Sequence, residues 1–168
     1  MNTLVEHGQW RAVEMHMTPD KIEWLWHGMT KYRTLFSDFT RGDIQNFYNL
    51  ISLRDSFWIE VLDQNDKIIG VIYWTSMSQV IDADVHLIFF DRKPAEKLVL
   101  CKKVATWFFE NNPQCNRMTA TLPIIYSASV RLAQRIGFKR EGRKRQSIMM
   151  RGKMEDELIL GLLNKEII

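Results

Sequence analysis

Ser127 to Gly142 reads SASVRLAQRIGFKREG. Val130, Leu132, Ala133 and Ile136 fall at helical spacing, with Arg131, Gln134 and Arg135 between them on a water-facing side. Ser127 stands where an N-cap belongs, its hydroxyl available to the free amides of the first turn. Gly137 stands where a helix ends in a backbone conformation that glycine alone enters without strain. Phe138 then opens an extended segment. The unit is helix, glycine stop, aromatic, strand and basic turn.

Outward from that unit, composition sets the frame. The chain has 168 residues, 46% hydrophobic and 26% charged. That predicts one domain, residues 1–168, with a core of its own. No apolar run approaches the ~20 residues a membrane helix needs. The N-terminal MNTLVEHGQWRAVEMH lacks the basic-then-apolar order of an export signal. Cys101 and Cys115 form no CxxC pair, which points to reduced thiols in a cytoplasmic protein and to no metal site. A net charge of +3 suits an acidic ligand without singling out nucleic acid.

The chain alternates weakly over Arg11 to His16, a first strand. Thr18-Pro19-Asp20 starts a helix with inner face Ile22, Leu25, Trp26 and Met29. Tyr32 to Phe39 is an aromatic connection. Asp43 caps a second helix with inner face Ile44, Phe47, Tyr48 and Ile51. Phe57–Leu62 and Lys67–Ser76 are strands joined by a hairpin turn, Asp63 to Asp66. Val80 to Phe90 is a third, mostly apolar strand, and Pro94 to Asn111 a long helix burying Leu98, Cys101, Ala105 and Phe108. Arg117–Leu122 is a strand ended by Pro123. The last helix, a basic hairpin arm and a closing strand follow. Periodicity alone gives a mixed α+β single domain.

The motifs carry a resemblance. Ser129-Val130-Arg131-Leu132, Gly137-Phe138-Lys139 and Glu141-Gly142, with the closing DELILGLL from Asp156, resemble the last helix and following strands of GNAT N-acetyltransferases. The branch most similar is the one that acetylates protein N-termini, ribosomal proteins included. The resemblance implies a mixed central sheet flanked by helices, acetyl-CoA as donor, and an amine of a protein or peptide as acceptor. It also implies a pyrophosphate site on a Gln/Arg-x-x-Gly-x-Gly/Ala loop at the start of the long helix, where backbone amides and the helix dipole favour phosphate. Here the loop reads Arg92-Lys93-Pro94-Ala95-Glu96-Lys97. Arg92 matches. The glycine positions hold Ala95 and Lys97, and Pro94 removes an amide. Arg92, Lys93 and Lys97 offer side-chain charge in their place.

By family position, the backbone of Leu87, Ile88 and Phe89 faces the thioester carbonyl. The family's Asn before the last helix falls at Tyr126, and the tyrosine many members use as acid falls at Ala133. Ser129 matches a serine that some relatives place near the sulfur, so Ser129 or Tyr126 is the candidate acid; local hydrogen bonding or packing is the plainer role for each. Glu60 and His86 are the candidate bases, each also readable as an ordinary strand residue. His86 shares a face with Asp84, Ile88 and Phe90; Glu60 shares one with Trp58 and Leu62.

Two surfaces remain. Lys139, Arg140, Arg143, Lys144 and Arg145 read as a solvated basic arm without the interleaved aromatics that stacking on nucleic acid requires. The rings near the N-terminus, among them Trp24 and Phe36, divide between core and a surface for a peptide or a second copy of the chain. Two function classes stay open: an active N-acetyltransferase, or a GNAT-fold assembly module without catalysis, in the style of divergent bacteriophage proteins that lack the glycine loop.

Overall fold

Alternation of apolar side chains builds eight strands, and 3.6-residue periodicity builds the helices that cover them. The structure is a computed structural model describing residues 2–30, 37, 38, 43–51, 55–77, 81–90 and 94–167, with Leu50, Pro94 and Ala95 described by backbone alone. Its order is β1 (Thr3–His7), β2 (Trp10–Glu14), α1 (Pro19–Thr30), α2 (Ile44–Ile51), β3 (Phe57–Leu62), β4 (Ile68–Thr75), β5 (Asp82–Phe89), α3 (Pro94–Asn111), β6 (Arg117–Pro123), α4 (Ser127–Ile136), β7 (Lys139–Met150) and β8 (Lys153–Leu163). A short 3-10 turn, Asn164–Glu166, follows. This is the α+β architecture expected, with one addition: β1 pairs antiparallel with β2, and its five residues alternate too weakly to announce a strand.

One mixed sheet results, in the order β1-β2-β3-β4-β5-β6-β8-β7. Every pairing is antiparallel except β5 with β6. On one face, Leu100, Val104 and Phe108 of α3 and Ala133 and Ile136 of α4 pack on Ile59, Ile72 and Leu160. On the other, Leu25 and Met29 of α1 and Phe47 and Ile51 of α2 pack on Trp58, Val71 and Ile88. Ile44, expected inside, is 38% exposed, and α2 enters that cluster through Phe47 and Ile51.

The local signals operate largely as read. The Thr18 carbonyl accepts from the Ile22 amide at 3.0 Å. Asp43 accepts from the Gln45 amide at 2.8 Å. The Asp63 carboxylate takes the amides of Asn65 and Lys67, and Asp66 closes the turn at φ 62°. Helix α4 departs from expectation at its start. Tyr126, not Ser127, is the N-cap, with no side-chain cap; its carbonyl accepts from the Val130 amide at 3.0 Å. At the other end Gly137 has φ 134°, and the amides of Gly137 and Phe138 both donate to the Ala133 carbonyl.

The basic arm is knitted to its neighbours. Lys139 pairs with Glu166 at 2.6 Å, Arg143 with Asp156, and Lys144 lies opposite Glu157. At its tip Arg151 and Gly152 both have positive φ, and their amides donate to the Asp38 carboxylate at 2.8 and 2.6 Å. The aromatic connection around Tyr32 and Phe36, and Arg92 and Lys93, lie outside the described residues.

Candidate functional site

Strands β5 and β6 run parallel but pair for only three residues, Asp82–Asp84 with Arg117–Thr119. Beyond that point they part. Val85 to Phe89 stay paired to β4, while Ala120 to Pro123 stay paired to β8. A wedge opens in the middle of the sheet, with one edge of β5 backbone unmatched by a neighbouring strand. Helix α4 lies beside the wedge, where Gly137 ends it and Phe138 turns into the core that also holds Leu162.

The wedge holds a cavity of about 380 Å³. Leu87, Ile88 and Phe89 line it from β5, Leu122 from β6, and Ser129 and Leu132 from α4. Among the described residues its cations are Lys97, Arg131 and Arg135, and no described carboxylate lines it. Lys97 Nζ stands 5.2 Å from the centre of the Phe89 ring, a cation–π distance. That ring is stacked on Trp10 and lies over Gly70, where a side-chain carbon would come within 2.6 Å of it. Gly70 therefore leaves the room in which Phe89 forms the wall.

The structure brings Leu87, Ile88, Phe89, Lys97 and Ser129 to one cavity. Tyr126 sits one turn before Ser129, at the N-cap of α4. Ala133 lines the cavity as a bare wall. Pro94 and Ala95 open α3 at the far end of β5, so the first helical position offers no amide to an anion. His86 faces the opposite side of β5. Its ring stacks on Tyr73 at 4.4 Å, and Tyr73 on Trp58 at 3.8 Å, a row across three strands. Burial lowers the His86 pKa below 6.5, partly opposed by Asp84. Asp84 accepts from Ser76 Oγ at 3.2 Å. Glu60 is not brought to the cavity. It lies two strands from β5, roughly 10 Å, 2% exposed beneath α1, with both oxygens on Lys21 Nζ.

Sequence reading missed Arg131 and Arg135. Both are exposed, as their place on the polar side of α4 indicated, yet they rim the cavity. Their four-residue spacing on the helix beside the glycine stop was the available signal. Leu122 and Ala120 were missed because nothing local marks where two strands part.

No protein-family model matches the chain, and no curated protein matches it. Solved structures do. A Vibrio cholerae spermidine N-acetyltransferase variant superposes with a TM-score of 0.76 at 12% identity, covering 95% of this chain and 96% of that one. A probable acetyltransferase gives 0.72 at 20%, covering 95% and 96%. A GNAT-family acetyltransferase from Bacillus anthracis gives 0.68 at 17%, covering 96% and 99%. With a parted parallel pair at the centre of a mixed sheet and these neighbours over nearly its whole length, the chain has the GNAT acyl-CoA N-acyltransferase fold.

Proposed function

We propose that the protein is an N-acetyltransferase that takes an acetyl group from acetyl-CoA and passes it to an amine. The observation that carries this is the cavity between β5 and β6, apolar within and cationic at its rim. An unmatched strand edge suits an amide-bearing pantetheine arm, the apolar walls suit its methylenes, and Lys97, Arg131 and Arg135 suit phosphate. The residues fit the group, with Arg92 and Lys93 added to the phosphate side as part of the proposal. One structural relative was solved with CoA and spermine.

The thioester supplies an activated acyl carbon. His86, kept uncharged by burial, is our base for the amine proton. Asp84, two residues earlier on the same face, draws a cationic amine toward it. Ser129, with Tyr126 one turn before it, is our donor to the departing sulfur. Glu60 we assign to holding α1 on the sheet through Lys21. For the acceptor we keep a protein or peptide amine; a polyamine, the substrate named for the Vibrio relative, satisfies the same charge.

Pro94 and Glu96 at the start of α3 support a second reading, an assembly module that no longer binds CoA. A thermal-shift titration with acetyl-CoA decides. Saturation at 100 times Kd stabilises a binder by ~2.7 kcal/mol. Stabilisation, followed by mass-spectrometric detection of acetylated peptides or spermidine, supports the enzyme. No shift up to millimolar ligand, with the protein folded, overturns it and favours the module.

A further inference from the structure

The cavity has a polarity along its length. It runs beside β5 from Phe89 to Val85, about 13 Å at ~3.3 Å per residue. Lys97 stands at the Phe89 end, and Arg131 and Arg135 are exposed along the helix side. The other end, where β5 and β6 meet, is closed by Val85, Ala120, Ala133 and Phe138, each at most 7% exposed. None of these four carries a polar side-chain atom, and two are alanines. Behind them a void of about 20 Å³ shares Val85, Leu87 and Phe138 with the cavity and reaches Trp74. The buried Trp74 Nε1 has no hydrogen-bond partner among the described residues. Protein interiors are packed to crystal density and keep few voids without reason.

We infer that this inner end takes an acyl chain longer than acetyl, of about four to six carbons, on its CoA thioester. The inference rests on the acyltransferase reading and adds the donor's acyl class. An anionic head at the cations and an aliphatic tail among Val85, Ala120, Ala133 and Phe138 match the two ends of such a ligand. A dicarboxylic acyl group suits this end less well, since none of the four side chains that close it carries a charge or a polar atom. The alanines set the depth: a larger side chain at either position shortens the tail that fits.

Calorimetric titration of the purified full chain with CoA, acetyl-, butyryl-, hexanoyl- and succinyl-CoA tests this. Each buried methylene tightens binding by about three- to fourfold. Butyryl-CoA is therefore expected to bind about tenfold tighter than acetyl-CoA, and succinyl-CoA more weakly than butyryl-CoA. Ala120→Val and Ala133→Leu should flatten the chain-length series, read as the affinity of each thioester relative to CoA measured on the same variant. If either variant fails to fold, the wild-type series decides alone. Equal or falling affinity beyond acetyl, with CoA and acetyl-CoA binding normally, overturns this inference and leaves the acetyltransferase reading standing. Free hexanoate binding as tightly as hexanoyl-CoA overturns the thioester assignment. Failure of every thioester to bind overturns both readings.

Discussion

The Lys21 ammonium donates to both oxygens of the Glu60 carboxylate, at 3.0 and 2.9 Å, joining α1 to β3 across the face of the sheet. The Glu60 side chain is 3% exposed and that of Lys21 31%. Removing one partner of such a pair leaves the other buried and unmatched, whereas replacing both with apolar groups does not. Lys21→Met is expected to cost about 3 kcal/mol in a urea melt. Lys21→Met with Glu60→Leu is expected to recover most of that loss. If the two single variants and the double are all neutral, the pair does not hold α1.

Gly70 and Phe89 make the second prediction. A side-chain carbon at Gly70 would lie 2.6 Å from Phe89 Cδ1 and 2.8 Å from the Ile88 carbonyl oxygen. The ring can shift; the carbonyl is backbone. Gly70→Ala should cost about 1–3 kcal/mol. It should also weaken CoA binding, because Phe89 is a wall of the cavity and carries Lys97 over its ring. Denaturant melts and a CoA titration of the one variant check both effects.

Gly137 has φ 134°, and a side-chain carbon there would meet Leu162 Cδ1 at 3.3 Å. Gly137→Val should cost more than ~1 kcal/mol, since a branched side chain is strained at that φ before any contact is counted. Phe138 is 5% exposed, and Phe138→Ala should cost ~3–5 kcal/mol. Ser129, exposed on α4, should tolerate alanine with little change in stability. In an active enzyme Ser129→Ala lowers kcat. A Gly137→Val melt matching wild type would show that the stop does not depend on glycine.

His86 sets a pH dependence. Burial puts its folded pKa below the ordinary 6.5. The unfolded chain therefore takes up the proton more readily as pH falls through that value, so stability drops there and levels off below the folded pKa. Well above 6.5 the group contributes no further slope. Melts from pH 5 to pH 8 should show this rise, and His86→Gln should reduce it. In acyl transfer, the acidic limb of the kcat/KM profile should fall below pH 6.5 and vanish in the same variant.

Much of the fold was legible because its signals are local. Phe57–Leu62 alternates, Thr18-Pro19-Asp20 starts a helix, and Gly137 ends one; each is a property of a few adjacent residues. Strand β1 was not legible, since Thr3–His7 becomes a strand by pairing with β2 at the sheet edge and not by its own pattern. Ser127 looked like a cap, yet the helix starts one residue earlier than that role requires.

The candidate site divides the same way. Sequence by itself determined which residues sit on one strand or one helix turn: Leu87 to Phe89, and Ser129 with Arg131 beside the glycine stop. It also determined that His86 turns away from Leu87, because side chains alternate along a strand. Only the tertiary structure decided that β5 and β6 part after Asp84 and Thr119, and so that Ala120, Leu122, Arg131 and Arg135 border one cavity. Only the tertiary structure placed Lys21 on Glu60, drawing that carboxylate under α1. Parting strands and a salt bridge between residues 39 apart depend on how separate elements pack, and no short stretch of sequence encodes that distance.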